Sequence, residues 1–264
     1  MNKINFKLYW KVIQFNLSKF TMYPTEFIAY LGSRFIELFL LGIFWYAVSL
    51  ANPSINFKLM LSYFLIADGF KSIMFSFETR LSKYFQDIIQ NGDFSNYLIK
   101  PVKIIPYIVC SFTGENWINH LYSYVVIALG LILLPVYSFT SICFCILFVI
   151  LGSIIAININ VLIACLTFYT PDADGIRNAI NHVLRITSGA LIPIYMFPSV
   201  LKNILLLSPF PALAFLPVYI LQTPLAINVI LYHLIVTLSW SIILTYITNK
   251  IWVKSLKDYE SVGM

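Results

Sequence analysis

Long apolar runs alternate with short polar connections along this chain, which is the pattern of a protein that crosses a lipid bilayer several times. A membrane-spanning helix needs about 20 mostly apolar residues. Six runs meet this requirement, and they cover 27–50, 57–77, 104–134, 140–168, 176–197 and 225–252. The pattern predicts an all-α integral membrane protein with six transmembrane helices in a single domain, 1–264.

A seventh apolar stretch, "SVLKNILLLSPFPALAFLPVYILQTP", separates the last two runs. Its prolines forbid one straight helix, because proline removes a backbone hydrogen bond and clashes with the preceding turn. We therefore expect two short re-entrant helices here, with the breaks marked by Pro198, Pro209, Phe210 and Pro211.

Lysine and arginine predict the orientation, because cytoplasmic loops carry most of the basic residues near the spans. They gather before the first run, between the second and third, between the fourth and fifth, and after the sixth. The other side holds only Lys58 and Lys202. Both termini are therefore expected in the cytoplasm.

Composition narrows the protein class. The chain is 60% hydrophobic and 11% charged, whereas soluble domains carry roughly 25% charged residues. Although the net charge is +6, the basic residues flank apolar runs, so we expect membrane lipids and no nucleic acid as partners. The four cysteines lie in apolar runs without metal-site spacing, and neither metal nor cofactor binding is expected. They are Cys110, Cys143, Cys145 and Cys165.

The N-terminus has the pattern of an amphipathic helix. Ile4, Leu8, Val12 and Phe15 recur at helical spacing, with lysines on another face. Such a helix lies in the membrane interface with its lysines near anionic headgroups. A frayed basic tail is the alternative.

The connection between the second and third runs is unusually long and strongly patterned. In "RLSKYFQDIIQ" the apolar residues fall on one helical face, and Asn91-Gly92 follows as a stop signal. Asp93 is placed to cap a second short turn ending near Leu98. We call residues 80–100 the cytoplasmic elbow. It is either a solvated connector or a docking element for a soluble partner, and its candidate contact residues are Lys83, Gln86, Asp87, Gln90, Gly92, Asp93 and Lys100.

Four ionisable residues fall inside the first two runs. Arg34 and Glu37, and likewise Asp68 and Lys71, are spaced i, i+3 and so share a helical face. Charges in lipid usually pair and face the bundle interior. We expect one charged cluster joining the first two spans; the alternative is separate side chains that snorkel to the interface.

A polar band interrupts the third run. Glu115 and Asn119, and also Asn116 and His120, are i, i+4 neighbours. We expect the band either to line an entrance for an amphiphilic substrate or to form hydrogen-bonded contacts between helices. The same two alternatives apply to Asn158 and Asn160. No G-x-x-x-x-G-K-[ST] phosphate loop occurs, nor a catalytic motif, so no catalytic residue is expected.

Two stretches resemble bacterial ABC-2 type transporter permeases. "IIQNGDFSNYLIKPV" is similar to the family's helix, glycine, acidic residue and leucine-rich turn ending in a basic residue and proline. "SGALIPIYMFPSVLKNILLLSPFPALAFLPV" is similar to its small-residue pair followed by Phe-Pro and Pro-Phe. The tail "WVKSLKDYESVGM" is a weaker match, with one glycine, Gly263, where relatives tend to have a pair.

The resemblance implies a permease subunit of an ATP-driven exporter in the bacterial cytoplasmic membrane, with an amphiphilic small molecule, peptide or lipid-like substrate. It implies two copies of a separate ATPase subunit, which hold ATP and Mg, and a second permease chain, identical or different. It makes the elbow the coupling helix. The rival hypotheses are an ion-coupled secondary transporter, favoured by the intramembrane charges, and a membrane enzyme or scaffold subunit, favoured by Glu115 and His120.

Overall fold

A computed structural model describes residues 6–17, 24–74, 80–134, 138–170 and 173–259, with backbone only at 24–28 and 30. Over these residues the chain forms α-helices and short 3-10 turns, and no strand. The α-helices are α1 (Phe6–Leu17), α2 (Pro24–Ala51), α3 (Phe57–Ile73), α4 (Arg80–Gln90), α5 (Phe94–Leu98), α6 (Ile104–Glu115), α7 (Trp117–Ile132), α8 (Phe139–Cys165), α9 (Asp174–Thr187), α10 (Ser199–Leu207), α11 (Phe215–Gln222) and α12 (Ile227–Lys257).

Three segments of the described chain are long and apolar enough to cross a bilayer unaided. They are Leu31–Ala51, Phe139–Phe168 and Ile227–Lys257. They correspond to the first, fourth and sixth predicted spans. The all-α prediction is thus confirmed, while the six-span topology and the orientation of the termini stay predictions.

The third predicted span is not one helix. It divides into α6 and α7 at Asn116, whose φ of −103° and ψ of 21° leave the helical region. The Asn116 amide donates to the Phe112 carbonyl at 2.9 Å, and Asn119 donates to the Asn116 side chain at 2.9 Å. Asparagine side chains compete with the helix for backbone partners in this way, and sequence periodicity does not register such a break.

The fifth predicted span is also shorter than expected, because α9 ends at Thr187. Gly189 follows with a φ of +83°, a left-handed conformation that favours glycine, and the Leu191 amide returns to the Arg185 carbonyl at 3.3 Å. The two short helices expected after it are present as α10 and α11. Pro198 immediately precedes α10, and Pro209, Phe210 and Pro211 fall at the break before α11.

Close backbone approach holds the helices together. Gly69 of α3 and Gly130 of α7 lie where a Cβ atom would meet Ile127 at 2.3 Å and Ile66 at 2.5 Å. Ser62 Oγ also donates to the Gly130 carbonyl at 3.0 Å. Small residues permit this packing between apolar helices.

The amphipathic N-terminal helix α1 packs against α6. Val12 and Asn16 are its buried residues, whereas Phe6, Trp10 and Phe15 are exposed. It meets α6 at Gly114, where a Cβ atom would lie 2.5 Å from the Ile13 carbonyl oxygen. The apolar face of α1 is thus divided between the bundle and the surroundings. Some residues on which the sequence predictions rest lie outside the described residues: Lys3, Ile4, Ser18, Lys19, Phe77 and Gly263.

Candidate functional site

The elbow consists of α4, a turn and α5, folded onto the bundle. Gly92 ends α4 with a φ of +77°, as the stop signal predicts. The apolar face of α4 is buried, and Phe94 of α5 packs against Trp252, Tyr259 and Phe168 with ring centroids 5.0–5.9 Å apart. The buried elbow residues with their bundle neighbours are Leu81, Phe85, Ile88, Ile89, Phe94, Ile108, Phe112, Val161, Ala164, Cys165 and Trp252.

One polar bond anchors the first turn of α4. The Ser82 backbone N–H donates to Oδ1 of Asn160 at 3.0 Å, and Asn160 itself is buried in α8. Since the first amides of a helix lack intrahelical partners, Asn160 acts as a cap supplied by another helix. Asn158 bonds Thr245 of α12 at 3.0 Å. The structure therefore gives both asparagines helix contacts.

The polar face of the elbow differs from the prediction at Gln86. This residue is buried, and its amide donates to Asp174 of α9 at 3.0 Å. Arg177, also buried, donates to the Gln86 oxygen and lies 2.7 Å from Asp174. Gln86 thus points into the chain rather than toward a partner, because the helix face that periodicity assigns to solvent is covered by the start of α9.

The remaining candidate contact residues are at the surface. Lys83 pairs with Asp87 at 3.0 Å and approaches Asp174 at 3.8 Å. Lys100 lies over the rings of Tyr97 and Tyr107, with its nitrogen 4.5 Å and 4.9 Å from the centroids. Gln90 is exposed; Gln86 also donates to it, at 3.4 Å.

Asp93 occupies the N-cap position of α5, but its carboxylate makes no capping bond. Its backbone is helical, with φ −63° and ψ −18°, whereas a capping side chain requires a non-helical backbone. The prediction of a second short helix is therefore confirmed, and the prediction that Asp93 caps it is wrong.

The elbow exposes apolar side chains at its end. Ile99 is 82% exposed and Leu98 45%. They are followed by exposed Lys100, Pro101 and Lys103. The aliphatic side chains of α4 are all buried, so this exposed apolar tip sets the end of the elbow apart.

Inside the bundle the four predicted charges lie together. Arg34 Nη1 is 2.9 Å from Glu37 Oε2, and its Nη2 is 3.5 Å from Asp68 Oδ1. Lys71 Nζ lies 3.4 Å from both Glu37 Oε1 and Asp68 Oδ1. The side chains of Arg34, Asp68 and Lys71 are less than a tenth exposed, and that of Glu37 is 36% exposed. The side chains are paired rather than separately snorkelling.

Residues from two other helices complete the charged cluster. Arg185 of α9 donates to Oε1 of Glu37, and the Tyr122 hydroxyl of α7 donates to Asp68 at 2.9 Å. The cluster therefore joins α2, α3 and α9 through three cations and two anions, and the neutral Tyr122 hydroxyl adds α7. Removing one partner of such a buried pair leaves an uncompensated charge, which is strongly destabilising.

Sequence reasoning missed Asp174, Arg177, Arg185, Tyr122 and the capping role of Asn160. Asp174 and Arg177 share the i, i+3 spacing that identified the other charged pairs, so the same signal was available for them. The contacts of Tyr122 and Arg185 span 54 and 148 residues of sequence, and no local pattern marks them.

The predicted polar band forms local contacts. Glu115 accepts a hydrogen bond from the Tyr84 hydroxyl of the elbow at 3.2 Å. The Asn119 side chain donates to the Asn116 side chain at 2.9 Å, and the His120 backbone N–H donates to the Asn116 carbonyl at 3.3 Å. His120 is half-buried one helical turn further along α7. In the structure the band stabilises the helix break and one elbow contact.

A cavity of about 690 Å³ opens at the end of the bundle opposite the elbow. It lies between the α2–α3 turn and α11. Its lining is uncharged and combines amides, hydroxyls and two tyrosine rings whose centroids are 6.2 Å apart. Lining residues include Asn52, Asn56, Tyr195, Tyr219, Gln222 and Thr223.

Comparison with known proteins places this arrangement in a family. No curated protein matches the chain. The family described as "ABC-2 family transporter protein" matches residues 35–263, which include most of the charged cluster, the elbow and the two short helices. The chain therefore belongs to the ABC-2 transporter family and is a transmembrane permease component of an ABC transporter.

Proposed function

We propose that this permease exports an amphiphilic small molecule, peptide or lipid-like substrate across the bacterial cytoplasmic membrane. It works with two copies of a separate ATPase subunit, which bind ATP and Mg, and with a second permease chain, identical or different. Family membership supports the ATPase partner. A chain without its own phosphate loop needs such a partner to use ATP.

The proposed topology has six crossings, formed by α2, α3, α6 with α7, α8, α9 and α12. At 1.5 Å per residue, the 17 residues of α3 reach about 26 Å and the 14 of α9 about 21 Å. The bilayer core is about 30 Å thick. With 17 residues, α3 is at the lower limit for a crossing, whereas the crossing at α9 is completed by the segment that follows it. Both termini lie in the cytoplasm.

The exposed apolar tip at Leu98–Ile99 is the observation that carries the docking proposal. Ile99 lies on the proposed cytoplasmic side, and its side chain is 82% exposed, so it contributes little to packing within this chain. Burying such a side chain contributes about 1.5–3 kcal/mol. Two lysines follow the tip, Lys100 and Lys103. We infer an apolar cleft with an acidic rim on the ATPase.

Movement of the elbow reaches the membrane through its buried contacts. The elbow packs against α6, α8 and α12 through Phe112, Val161 and Trp252. ATP-driven closure of two ATPase subunits displaces both elbows, and the attached helices shift with them between two packed arrangements.

The charged cluster is the observation that favours an ion-coupled transporter instead, since intramembrane carboxylates mark many ion pathways. In this cluster each carboxylate contacts two or three cationic side chains. Such pairing favours a structural role, in which the charges join the helices, rather than a role in ion transport. An ion-coupled carrier would transport along an ion gradient with no ATPase present.

Site-specific photocross-linking tests the docking proposal. A photoreactive amino acid at Ile99, in membranes of the source cells, is expected to capture an ATPase subunit that mass spectrometry identifies by its phosphate loop. The same amino acid at Phe139, which is 78% exposed at the start of α8 at the other proposed face, is the matched control. Capture of an ATPase from Phe139, or of lipid alone from Ile99, contradicts the proposal.

A further inference from the structure

We propose that α9 transmits the movement of the elbow to the charged cluster, with Asp174, Arg177 and Arg185 as the positioning residues at its two ends. The inference rests on the proposed function, because it gives the route by which ATPase-driven movement reaches the interior of the membrane.

The cytoplasmic end of α9 is attached to the elbow by polar contacts. Asp174 accepts from Gln86 of α4 at 3.0 Å and lies 3.8 Å from Lys83. Arg177 donates to Gln86 and pairs with Asp174 at 2.7 Å. The bond between Arg177 and Gln86 joins two buried side chains, so water competes poorly for it, whereas the carboxylate of Asp174 is 48% exposed. α4 cannot move without α9 unless these bonds break.

The other end of α9 is attached to the first two spans. Arg185 contacts Glu37, which also contacts Arg34 and Lys71. Arg177 and Arg185 are eight residues apart, or about 12 Å along the helix axis. One rigid segment of two turns therefore joins the elbow bonds to the charged cluster.

Apolar packing holds α9 only weakly. Of its 14 residues, just Arg177 and Leu184 are buried. Ile176, Val183 and Ile186 are exposed, as are Asn178 and His182. Leu184 and Ile180 are the apolar residues of α9 that pack on the core, so the orientation of α9 depends largely on polar bonds at its ends. An element with so few buried apolar contacts opens at low free energy.

The segment after α9 is fixed in place. The Tyr63 hydroxyl of α3 donates to the Gly189 carbonyl at 2.7 Å, and the Phe215 amide of α11 donates to the Ser188 carbonyl at 3.1 Å. A Cβ atom at Gly189 would lie 2.9 Å from Phe215. A pull on Asp174 therefore turns α9 about this end, and Arg185, in the last turn, moves relative to Glu37.

Cysteine accessibility tests this route in the purified chain. Leu38 lines the small cavity between Glu37, Asp68, Lys71 and Arg185, so the labelling rate of Leu38→Cys, with the native cysteines replaced, reports the state of the cluster. We expect Asp174→Ala, which removes the bonds between α9 and the elbow, to raise this rate about fivefold. Arg185→Gln should do the same, and Arg185→Lys should restore the slow rate. Asn178→Ala, on the exposed face of α9, is the matched control and should change nothing.

The result that overturns the proposal is a fast rate in Arg185→Gln with an unchanged rate in Asp174→Ala, because the two ends of α9 would then act independently. This assay needs no ATPase, so it separates the route from the proposed function. When the ATPase is added, ATP should change the labelling rate in the parent chain and not in Asp174→Ala. Equal responses to ATP would likewise exclude α9 as the route.

Discussion

Arg185 of α9 donates to the carboxylate of Glu37 of α2 across 148 residues of sequence. Glu37 is also bonded by Arg34 and Lys71, so one carboxylate serves cations from three helices. The i, i+3 pair of Arg34 and Glu37 within α2 would form without α9, so the contact with Arg185 is a separate bond between helices. The contact makes α9 part of the structure formed by the first two spans.

Replacing Glu37 is expected to destabilise the bundle by about 1–3 kcal/mol, which is less than the loss for a fully buried pair because Glu37 is about a third exposed. Glu37→Gln leaves Arg34, Lys71 and Arg185 with Asp68 as the remaining carboxylate of the cluster. Thermal unfolding of Glu37→Gln, Arg185→Gln and the double variant in lipid nanodiscs measures this. Strictly additive losses would show that the two residues do not interact.

The close approach of α3 and α7 predicts that Gly69→Ala destabilises the chain by about 1–3 kcal/mol through overpacking against Ile127. Gly32 and Gly42 of α2 have open space for 4 Å around the position that an alanine methyl group would take. Alanine there should be neutral, or stabilising by up to about 1 kcal/mol as in other helix interiors. The unfolding temperatures of the alanine variants of Gly69, Gly32 and Gly42 test this prediction. Equal effects at Gly69 and Gly42 would be inconsistent with close packing of α3 against α7.

Gly92 should resist substitution because of its backbone. Its φ of +77° costs an L-residue about 1–2 kcal/mol, so Gly92→Ala is expected to loosen the turn between α4 and α5. Hydrogen exchange of the amides of α5 reports this loosening. Gly175, in the first turn of α9, has open space around it and no positive φ, and its alanine variant should exchange like the parent.

The contacts of Asp174 predict a pH dependence. The hydrogen bond from Gln86, with Arg177 and Lys83 nearby, lowers the pKa of Asp174 below the usual 3.8. A lowered folded-state pKa stabilises the fold above the unfolded-state pKa, and the stabilisation is lost as the pH falls through the folded-state value. The stability difference between the parent and Asp174→Asn should stay constant from about pH 8 to about pH 5 and shrink below about pH 4. A difference that already declines between pH 8 and pH 5 would contradict this assignment.

The sequence predicted the positions of the helices better than the contacts between them. Hydrophobic periodicity located α4, and the Asn91-Gly92 signal located its end, because both depend on neighbours in the chain. Periodicity could not show that Gln86 faces Asp174, because Asp174 of α9 is 88 residues further along the chain. The i, i+3 spacing of the intramembrane charges led to their cluster, because unpaired charges in lipid are costly. The sequence did not predict the break at Asn116, because a polar band inside an apolar run is equally compatible with one continuous helix.

We propose that an ATPase drives this permease through the exposed apolar tip of the elbow. ATP hydrolysis by that ATPase, measured in proteoliposomes with the parent chain, Ile99→Asp or Phe139→Ser, tests it most directly. We expect the parent and Phe139→Ser to stimulate hydrolysis equally and Ile99→Asp to abolish the stimulation, because a charged side chain cannot enter an apolar cleft with an acidic rim. Full stimulation by Ile99→Asp would contradict the account.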